Sequence, residues 1–328
     1  MDDFPFKEDK RSYSEIRTFQ TCNLQHYYRY FLRLSSREYE DIKYFIPGRI
    51  VHDSLELIYN GVDPEDAKRR VADEARVDLQ EGLDGEFFDN YLFEVHRSMA
   101  YNMLDVFVDE ILPQEDYEVE ETEYGYEAEV AGIPFVGQAD QIYRRDLQED
   151  DPKWVKKRLE SEGRDQLRLL GEWKTASSSM FPSSSDYEDE VKSDMQSHLY
   201  IAALENDGMP VDGIVHTTLR KAPSKYKKQE NYDTLKEHKE GIAGYYSRAR
   251  TPWRREEVVW RPPFDELEGH LRSVNEEIKA FYKNPYRSYD EFIKPDPKGY
   301  PCQFCQYFDI CRQGKSVDKS WSYKTQRS

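Results

Sequence analysis

The sequence predicts an α/β protein in which a mixed β-sheet core is flanked by helices. Apolar residues recur at three- and four-residue spacing in the first third of the chain, as they do on the buried face of a helix. The middle of the chain alternates apolar and polar residues around turn residues, as strands do. A helical segment then separates two further strands, and this order favours a sheet with helices packed against it.

The first third of the chain predicts helices. Residues 12–34 give the first, and the second begins at Pro47 and continues to about Tyr59. A third helix has Pro64 at its first position, where proline is well tolerated. The stretch 87–112 has the apolar spacing of a long amphipathic helix.

The next segments predict strands. Residues 117–130 alternate, and 131–145 follow them after a glycine turn, which predicts a β-hairpin. The charged stretch 146–166 indicates a solvated insertion. Residues 167–176 then predict a strand that is buried on at least one face.

The remaining core elements alternate in type. Residues 190–206 predict a helix and 211–222 a strand. A helix, the short strand 257–262 and a further helix that starts after Pro263 follow them. Along the chain, helices therefore precede and follow the strands of the central sheet. This order suggests an α/β core with a helical extension.

The chain divides into four predicted regions. Residues 1–115 form an N-terminal helical region, and 116–262 form the α/β core. Residues 263–315 form a C-terminal helix followed by a cysteine-rich segment. The last region, 316–328, is expected to be a flexible tail.

The charge of the chain limits the possible partners. It has 328 residues and a formal net charge of −18, which speaks against a general nucleic-acid coat protein with a basic surface. A nuclease is not excluded, because a pocket that holds divalent metals must be acidic. Three basic segments also occur, at 153–158, 220–228 and 248–255.

The sequence gives no sign of a membrane protein. It has no apolar run of about 20 residues, and its acidic, polar N-terminus does not look like a secretory signal. We therefore expect a soluble, cytoplasmic protein with no membrane partner.

Three residues of the core form a candidate catalytic group. Residues two apart in a strand share a face, so Glu172 and Lys174 project together while Trp173 points the opposite way. Asp140 meets them if the two strands are neighbours. Converging carboxylates need a cation to neutralise them, and hard oxygen ligands favour magnesium or manganese. Lys174 can then stabilise charge developing on a phosphate or orient the attacking water.

These residues belong to a longer series of spaced motifs. Gly48–Glu56 reads G-x-x-x-H-x-x-x-E, Gly137–Asp140 reads G-x-x-D, Glu172–Lys174 reads E-x-K, and Gln196–Tyr200 reads Q-x-x-x-Y. In order and spacing the series resembles the PD-(D/E)XK nuclease superfamily, specifically its RecB-like branch. The resemblance implies a restriction-endonuclease-like fold for the core.

The resemblance also implies roles for individual residues. The catalytic residues would be Asp140, Glu172 and Lys174. The metal ligands would be His52, Asp140, Glu172 and the backbone carbonyl of Trp173. The residues that contact DNA or orient the site would be Gln196, Tyr200 and Glu56. Two basic residues at the end of a core strand, Arg220 and Lys221, would follow the phosphate backbone.

Cysteines occur near both ends of the chain. Cys302, Cys305 and Cys311 lie within ten residues, and the only other cysteine is Cys22. Four thiolates can bind a 4Fe–4S cluster or a tetrahedral zinc ion, and either would join the two ends of the chain. Disulfides are disfavoured for clustered cysteines in an intracellular protein. The surroundings of Cys22 resemble those in RecB-like nucleases with an iron–sulfur cluster, which favours the cluster over zinc.

The sequence thus predicts a metal-dependent deoxyribonuclease, an exonuclease that acts on DNA ends or single strands. Its cofactors would be Mg²⁺ or Mn²⁺ at the catalytic residues and a 4Fe–4S cluster at the cysteines. The alternative is a non-catalytic DNA-binding or scaffold subunit that keeps the nuclease fold, and RNA cleavage also stays open. Protein partners in recombination, replication or CRISPR adaptation are expected.

Overall fold

The computed structural model describes most of the chain. The described residues are 10–36, 45–82, 88–177, 194–226, 228–248, 254–260, 265–283, 302, 305–307, 310–311 and 321–323. Their helices are α1 (Tyr13–Thr21), α2 (Asn23–His26), α3 (Ile46–Tyr59), α4 (Pro64–Gly82), α5 (Asn90–Val106), α6 (Lys153–Glu162), α7 (Met195–Asn206), α8 (Leu235–Tyr246) and α9 (Asp265–Tyr282). Their strands are β1 (Leu34–Ser36), β2 (Glu118–Val130), β3 (Ile133–Asp146), β4 (Gln166–Ser177), β5 (Gly213–Lys221), β6 (Arg254–Trp260) and β7 (Trp321–Tyr323).

Five strands form one mixed sheet in the order β2-β3-β4-β5-β6. β4 and β5 run parallel, while the other neighbouring pairs run antiparallel. The parallel pair needs a crossover connection, and α7 lies within it. The predicted α/β class is confirmed, and the arrangement is consistent with a restriction-endonuclease-like fold.

The predicted β-hairpin is the long pair β2–β3. Its turn consists of Ala131 and Gly132, whose φ angles are 58° and 76°. Two successive residues with positive φ are what a tight hairpin turn requires. The pairing continues from Val130↔Ile133 to Glu118↔Arg144, with one register shift between Val119 and Glu121.

Helices pack on the two faces of the sheet. One apolar cluster joins α1, α7 and α9 to β2 and β3, and it includes Leu170 of β4. A second cluster joins α3, α4, α5 and α8 to the other face, where it includes Trp173 of β4 and Leu219 of β5. Within the described ranges, every helix is too short or too polar to cross a bilayer.

The predicted first helix, residues 12–34, is interrupted at Cys22. The backbone of Cys22 is extended, with φ −162° and ψ 105°. Its sulfur accepts a hydrogen bond from the backbone N–H of Gln25 at 3.4 Å and so caps α2. A π-helical turn, Tyr27–Phe31, follows. A helical pattern in the sequence cannot reveal such a break, because cysteine is not one of the usual N-cap residues.

The charged stretch 146–166 differs from the predicted solvated insertion. It contains α6, which packs on the sheet through Val155 and Leu159, both fully buried. Two apolar residues four apart lie on one side of a helix, so a single turn of contact is enough to fix α6 against β4 and β5. The lysines around them masked this contact in the sequence.

The two ends of the described chain meet. β7 pairs antiparallel with β1, in the register Leu34↔Tyr323 to Ser36↔Trp321. Tyr307 is buried, and its hydroxyl donates to the carbonyl of Leu34 at 2.8 Å. The sequence predicts a flexible tail over 316–328. Residues 321–323 instead form a strand, because β1 offers backbone groups for pairing, and the rest of the tail lies outside the described residues.

Candidate active site

The site forms where β3 and β4 separate. Their backbone pairing ends at Gln141↔Gly171. Beyond this point the carboxylate of Asp140 takes the place of a strand partner and accepts the N–H of Trp173 at 2.8 Å. In an antiparallel pair the N–H and C=O of one residue point to the same side, so the Trp173 carbonyl also faces the gap that holds Asp140.

Helix α3 brings His52 to this gap. A Cβ on Gly48 would lie 3.0 Å from Oγ1 of Thr175 on β4, so the absence of a side chain lets the helix approach the strand closely. His52 follows one turn later, and its Nδ1 is 3.6 Å from Oδ2 of Asp140. Burial lowers the pKa of His52 although Glu172 opposes this effect, which leaves the neutral imidazole that metal binding requires.

Glu172 and Lys174 lie on the α7 side of the gap. Glu172 is 5% exposed and forms an ion pair with Lys174. Gln196 Nε2 donates to Glu172 Oε1 at 3.2 Å and to the hydroxyl of Tyr200 at 3.0 Å, while Gln196 Oε1 accepts from Lys174 at 3.5 Å. The E-x-K and Q-x-x-x-Y motifs thus form one hydrogen-bonded group.

The two carboxylates of the site resist ionisation. Burial raises the pKa of Asp140, although the N–H of Trp173 and the charge of Lys174 oppose it. Burial also raises the pKa of Glu172, and the charge of Asp140 adds to this. Lys174 has a raised pKa because the attraction of Glu172 outweighs its burial, so it stays protonated. One lysine beside a buried and a half-buried carboxylate leaves a deficit of positive charge.

The predicted substrate-contacting residues surround this group. Glu56 lines a small cavity together with His52 and Asp140, and burial raises its pKa. Lys221 ends β5, and its charge acts on His52. Arg220 precedes it opposite Ala176 of β4. The structure therefore brings together residues that the sequence places far apart.

Tyr126 supports the site although it belongs to no motif in the sequence. A Cβ on Gly137 would collide with the phenol of Tyr126, and the Tyr126 ring packs edge-on against Tyr200 at 5.8 Å. The glycine of G-x-x-D thus makes room for a tyrosine that packs behind Q-x-x-x-Y. Burial raises the pKa of Tyr126 well above its ordinary value, so its hydroxyl stays neutral.

A buried Ser–His pair fixes α7 to the sheet. Ser197 Oγ and His216 Nε2 lie 2.7 Å apart, and both residues are at most 3% exposed. His216 is paired with Glu172 in the parallel register of β4 and β5. Burial lowers the pKa of His216. The neighbouring Gln196 is therefore held beside Glu172 by an uncharged contact.

Glu123 is a further carboxylate at the site that the sequence analysis missed. It lines the cavity with His52 and Asp140, and its φ of 49° is unusual for a residue other than glycine. Burial and the charges of Asp140 and Glu56 raise its pKa to about 7. Its strand is rich in glutamate, so no spacing in the sequence distinguishes this residue from its neighbours.

The donor set fits a hard divalent cation. Two carboxylates, a neutral imidazole and a backbone carbonyl are ligands that magnesium and manganese accept, and the charge deficit of Asp140 and Glu172 calls for a cation. Among the described residues, no three His, Cys, Asp or Glu side chains are yet arranged as a metal-binding group. The fit is therefore one of chemistry and proximity.

The four cysteines lie near enough to influence one another's ionisation, although no three of them are arranged as a metal-binding group in the described part of the chain. None of the four forms a disulfide, and Cys22 and Cys302 are buried. Burial raises the pKa of Cys22, and the charges of Cys311 and Cys302 raise it further. Burial and the other three thiols raise the pKa of Cys305 to about 12. The thiols are thus close enough to repel one another as thiolates, and four sulfur donors fit a cluster or a zinc ion.

Comparison with known proteins supports part of this assignment. The model of the PD-(D/E)XK nuclease superfamily matches residues 10–156, a range that contains Cys22, His52 and Asp140 but ends before Glu172. No curated protein matches the chain. A solved structure described as "Crystal structure of SSO0001" is similar over 82% of this chain and 86% of its own, with 12% identity and a TM-score of 0.29, a similarity too low to bear on function. The class of activity that the family match indicates is metal-dependent nuclease.

Proposed function

We propose that the protein is a nuclease that hydrolyses DNA phosphodiesters with Mg²⁺ or Mn²⁺, as an exonuclease on ends or single strands. One observation carries the proposal: the buried Glu172 and the half-buried Asp140 lie close together with too little positive charge to neutralise them. Such a pair is costly unless a cation binds it. Lys174 forms an ion pair with Glu172, and His52 lies 3.6 Å from Asp140.

The residues of the chain divide the work of hydrolysis. His52, Asp140, Glu172 and the Trp173 carbonyl would hold the cation, which when bound lowers the pKa of water and polarises the phosphoryl oxygen. Lys174, kept protonated by Glu172, would donate to the attacking water or to a phosphoryl oxygen as negative charge develops there. The side-chain amide of Gln196 accepts from Lys174 and donates to Glu172, and so fixes their relative positions.

The substrate would reach this group along the ends of β4 and β5. Arg220 and Lys221 lie there, next to the last residues of β4, and cationic side chains beside a site attract the phosphate backbone. Gln196 and Tyr200, from α7, would orient the reacting phosphate. Preference for ends or single strands rests on the resemblance of the motif series to RecB-like nucleases.

The decisive assay is degradation of end-labelled single- and double-stranded DNA with Mg²⁺ or Mn²⁺. Lys174→Ala should lower the cleavage rate at least about 10²-fold, and EDTA should abolish cleavage. Lys236→Ala is the matched control, because Lys236 is exposed on α8 and lies outside the three basic segments. Equal rates for wild type and Lys174→Ala would favour a non-catalytic DNA-binding subunit. Circular single-stranded DNA should stay intact, and its cleavage would contradict the exonuclease assignment.

We further propose that Cys22, Cys302, Cys305 and Cys311 bind one 4Fe–4S cluster, with zinc as the alternative. The mutual repulsion of these thiols is relieved when a metal stabilises their thiolates. Such a cluster would join α2 to the C-terminal segment, alongside the contact of Tyr307 with Leu34.

The cluster is tested by iron, sulfide and zinc analysis of protein purified without oxygen. Wild type should contain iron and sulfide in equal amounts and show broad visible absorption, and Cys22→Ser should lose both. Thr21→Ala is the control, since the Thr21 hydroxyl donates to the Arg17 carbonyl within its own helix. Stoichiometric zinc without iron would select the zinc alternative.

A further inference from the structure

We propose that Phe45 stacks on an unpaired base of the substrate, and that this contact gives the site its preference for single-stranded DNA. The inference rests on the proposed function, because it assumes that a DNA strand enters the site. Phe45 precedes the first nuclease motif and belongs to none of the four. The stacking contact would give the expected preference for single strands a physical cause in this chain.

Phe45 is an aromatic side chain that lies mostly in solvent. It is 74% exposed, more than any other large apolar side chain among the described residues. A ring of this size gains hydrophobic stabilisation only when something covers it. Single exposed apolar residues are common on protein surfaces, so the exposure of Phe45 assigns no role by itself. Its position beside the site distinguishes it.

Phe45 lies on the same face of α3 as His52. It is the N-cap residue of the helix, yet its backbone is already helical, with φ −87° and ψ −22°. The seven residues from Phe45 to His52 make about two helical turns, so the two side chains project to the same side. At a rise of 1.5 Å per residue, they are about 10 Å apart along the helix axis.

The first turn of α3 lies at the ends of β4 and β5. A Cβ on Gly48 would lie 3.0 Å from Oγ1 of Thr175, which places this turn beside the last residues of β4. Lys221 ends β5 and follows Leu219 by two residues. Leu219 packs in the apolar cluster on the α3 side of the sheet, and alternate strand residues share a face. Lys221 therefore projects to the α3 side as well, so an exposed ring and an amine border the same end of the sheet.

An aromatic ring beside a cation is the combination that binds a single strand. The ring stacks on a base, and the cation attracts the phosphate backbone. In a duplex each base is already stacked and paired, so its face is not available to Phe45. Arg49 follows Phe45 by one turn and pairs with Asp53 and Asp78, which reduces their repulsion of a phosphate. The separation of about 10 Å from His52 corresponds to about three stacked nucleotides, so the contacted base lies close to the reacting phosphate.

Binding of a fluorescent oligothymidylate, measured by anisotropy in EDTA, tests the contact without cleavage. Phe45→Ala should weaken binding about tenfold, and Phe45→Trp should bind at least as tightly as wild type. Phe45→Leu is the matched control, because it keeps an apolar side chain but has no ring, and it should bind nearly as weakly as Phe45→Ala. The Tm of all three variants should match that of wild type, because the side chain is exposed.

Salt and abasic strands separate stacking from charge. Phe45→Ala should leave the slope of log K against log salt concentration unchanged, whereas Lys221→Ala should reduce it by about 0.7. Strands with a single abasic site should bind wild type more weakly when that site lies at one position within about four nucleotides of the end. At that position Phe45→Ala should cause no further loss, since the ring has no base to contact.

The outcomes separate this inference from the proposed function. Equal affinity of wild type and Phe45→Ala, or additive losses from Phe45→Ala and every abasic site, would overturn the inference and leave the nuclease assignment intact. Wild-type affinity in Phe45→Leu would mean apolar packing in place of stacking and would overturn it too. If wild type cleaves DNA but does not bind the strand in EDTA, the stacking contact is wrong and the assignment stands. Ring-dependent binding without any cleavage would support the contact in a non-catalytic DNA-binding subunit.

Discussion

The acidic residues beside the two halves of β4 differ in their cationic partners. At its start, Glu120 accepts paired hydrogen bonds from both Arg144 and Arg168, and Asp212 accepts from both terminal nitrogens of Arg164. Beside its second half, Glu172 pairs with Lys174, and the half-buried carboxylate of Asp140 lies close enough to raise the pKa of Glu172.

The difference appears in the pKa values. Burial would raise the pKa of Glu120, but the two arginines lower it below its ordinary range. Asp140, Glu172 and Glu123 have raised pKa values, and burial is the main cause in each. Carboxylates with arginine partners stabilise the fold, whereas carboxylates without them keep a demand for positive charge. Of these carboxylates, only Asp140, Glu172 and Glu123, the second group, are therefore available to bind a cation.

The largest effect is expected at the second group. Glu172→Gln should lower DNA cleavage about 10³-fold or more, because the bound cation lowers the barrier by several kcal/mol. The same change should not destabilise the metal-free protein, since it removes a buried charge whose pKa is raised. Single-turnover cleavage and a thermal melt in EDTA measure both. If Glu172→Gln lost stability as well as activity, Glu172 would contribute to the fold as the arginine-paired carboxylates do, and the contrast would be wrong.

The matching change at the start of β4 should do the reverse. Asp212 is 1% exposed and also accepts the backbone N–H of Arg168 at 2.9 Å. Asp212→Asn would leave Arg164 without its main partner, and a broken buried pair costs about 3 kcal/mol. Urea unfolding should report this loss, while the cleavage rate at a temperature where the variant is folded should stay within about twofold. A severe loss of cleavage there would show that the two halves are coupled.

Cation binding should stabilise the folded protein through the second group and not through Asp212. At a Mn²⁺ concentration of about 100 times Kd, the folded state should gain about 2.7 kcal/mol, read as a rise in Tm. Glu172→Gln should lose most of this rise, and Asp212→Asn should keep it although its starting Tm is lower. An equal rise in all three proteins would mean that Mn²⁺ binds elsewhere.

A site residue could be predicted from the sequence where its role requires a set number of residues between it and its neighbours in a motif. The sequence predicts four site residues by such intervals. Gly48 and His52 are one helical turn apart, Asp140 lies near the end of a strand, and Glu172 alternates with Lys174 along the next strand. The sheet could be read for the same reason, since alternation and turn residues mark strands. The match of the nuclease superfamily model gives a residue range and no residue roles, so the roles of His52, Asp140, Glu172 and Lys174 all stay predictions.

Other features depended on contacts that no interval records. Glu123 joins the site only because the hairpin register sets it opposite Asp140, and a shift by one residue would have turned it away. α6 packs through two apolar residues among lysines, which resembles a solvated face in sequence. The break at Cys22 follows from a sulfur that caps a helix, a role that propensity assigns to other residues.

The smallest expected effect tests Glu123 without any metal. Its pKa is about 7 in the fold against an ordinary value of 4.5, so its contribution to stability is fully present below pH 4.5 and is lost as the pH rises through 7. Glu123→Gln cannot ionise and should therefore be more stable than wild type at pH 8 in EDTA. The gain should be about 1 kcal/mol, or about 2 °C in Tm, because solvent screens a half-buried carboxylate. The other carboxylates of the site are common to both proteins, so the difference between the two melting curves isolates Glu123. A difference that stays constant between pH 4 and pH 8 would mean that Glu123 ionises as an ordinary surface glutamate, and the contrast between the two halves of the sheet would then be confined to Asp140 and Glu172.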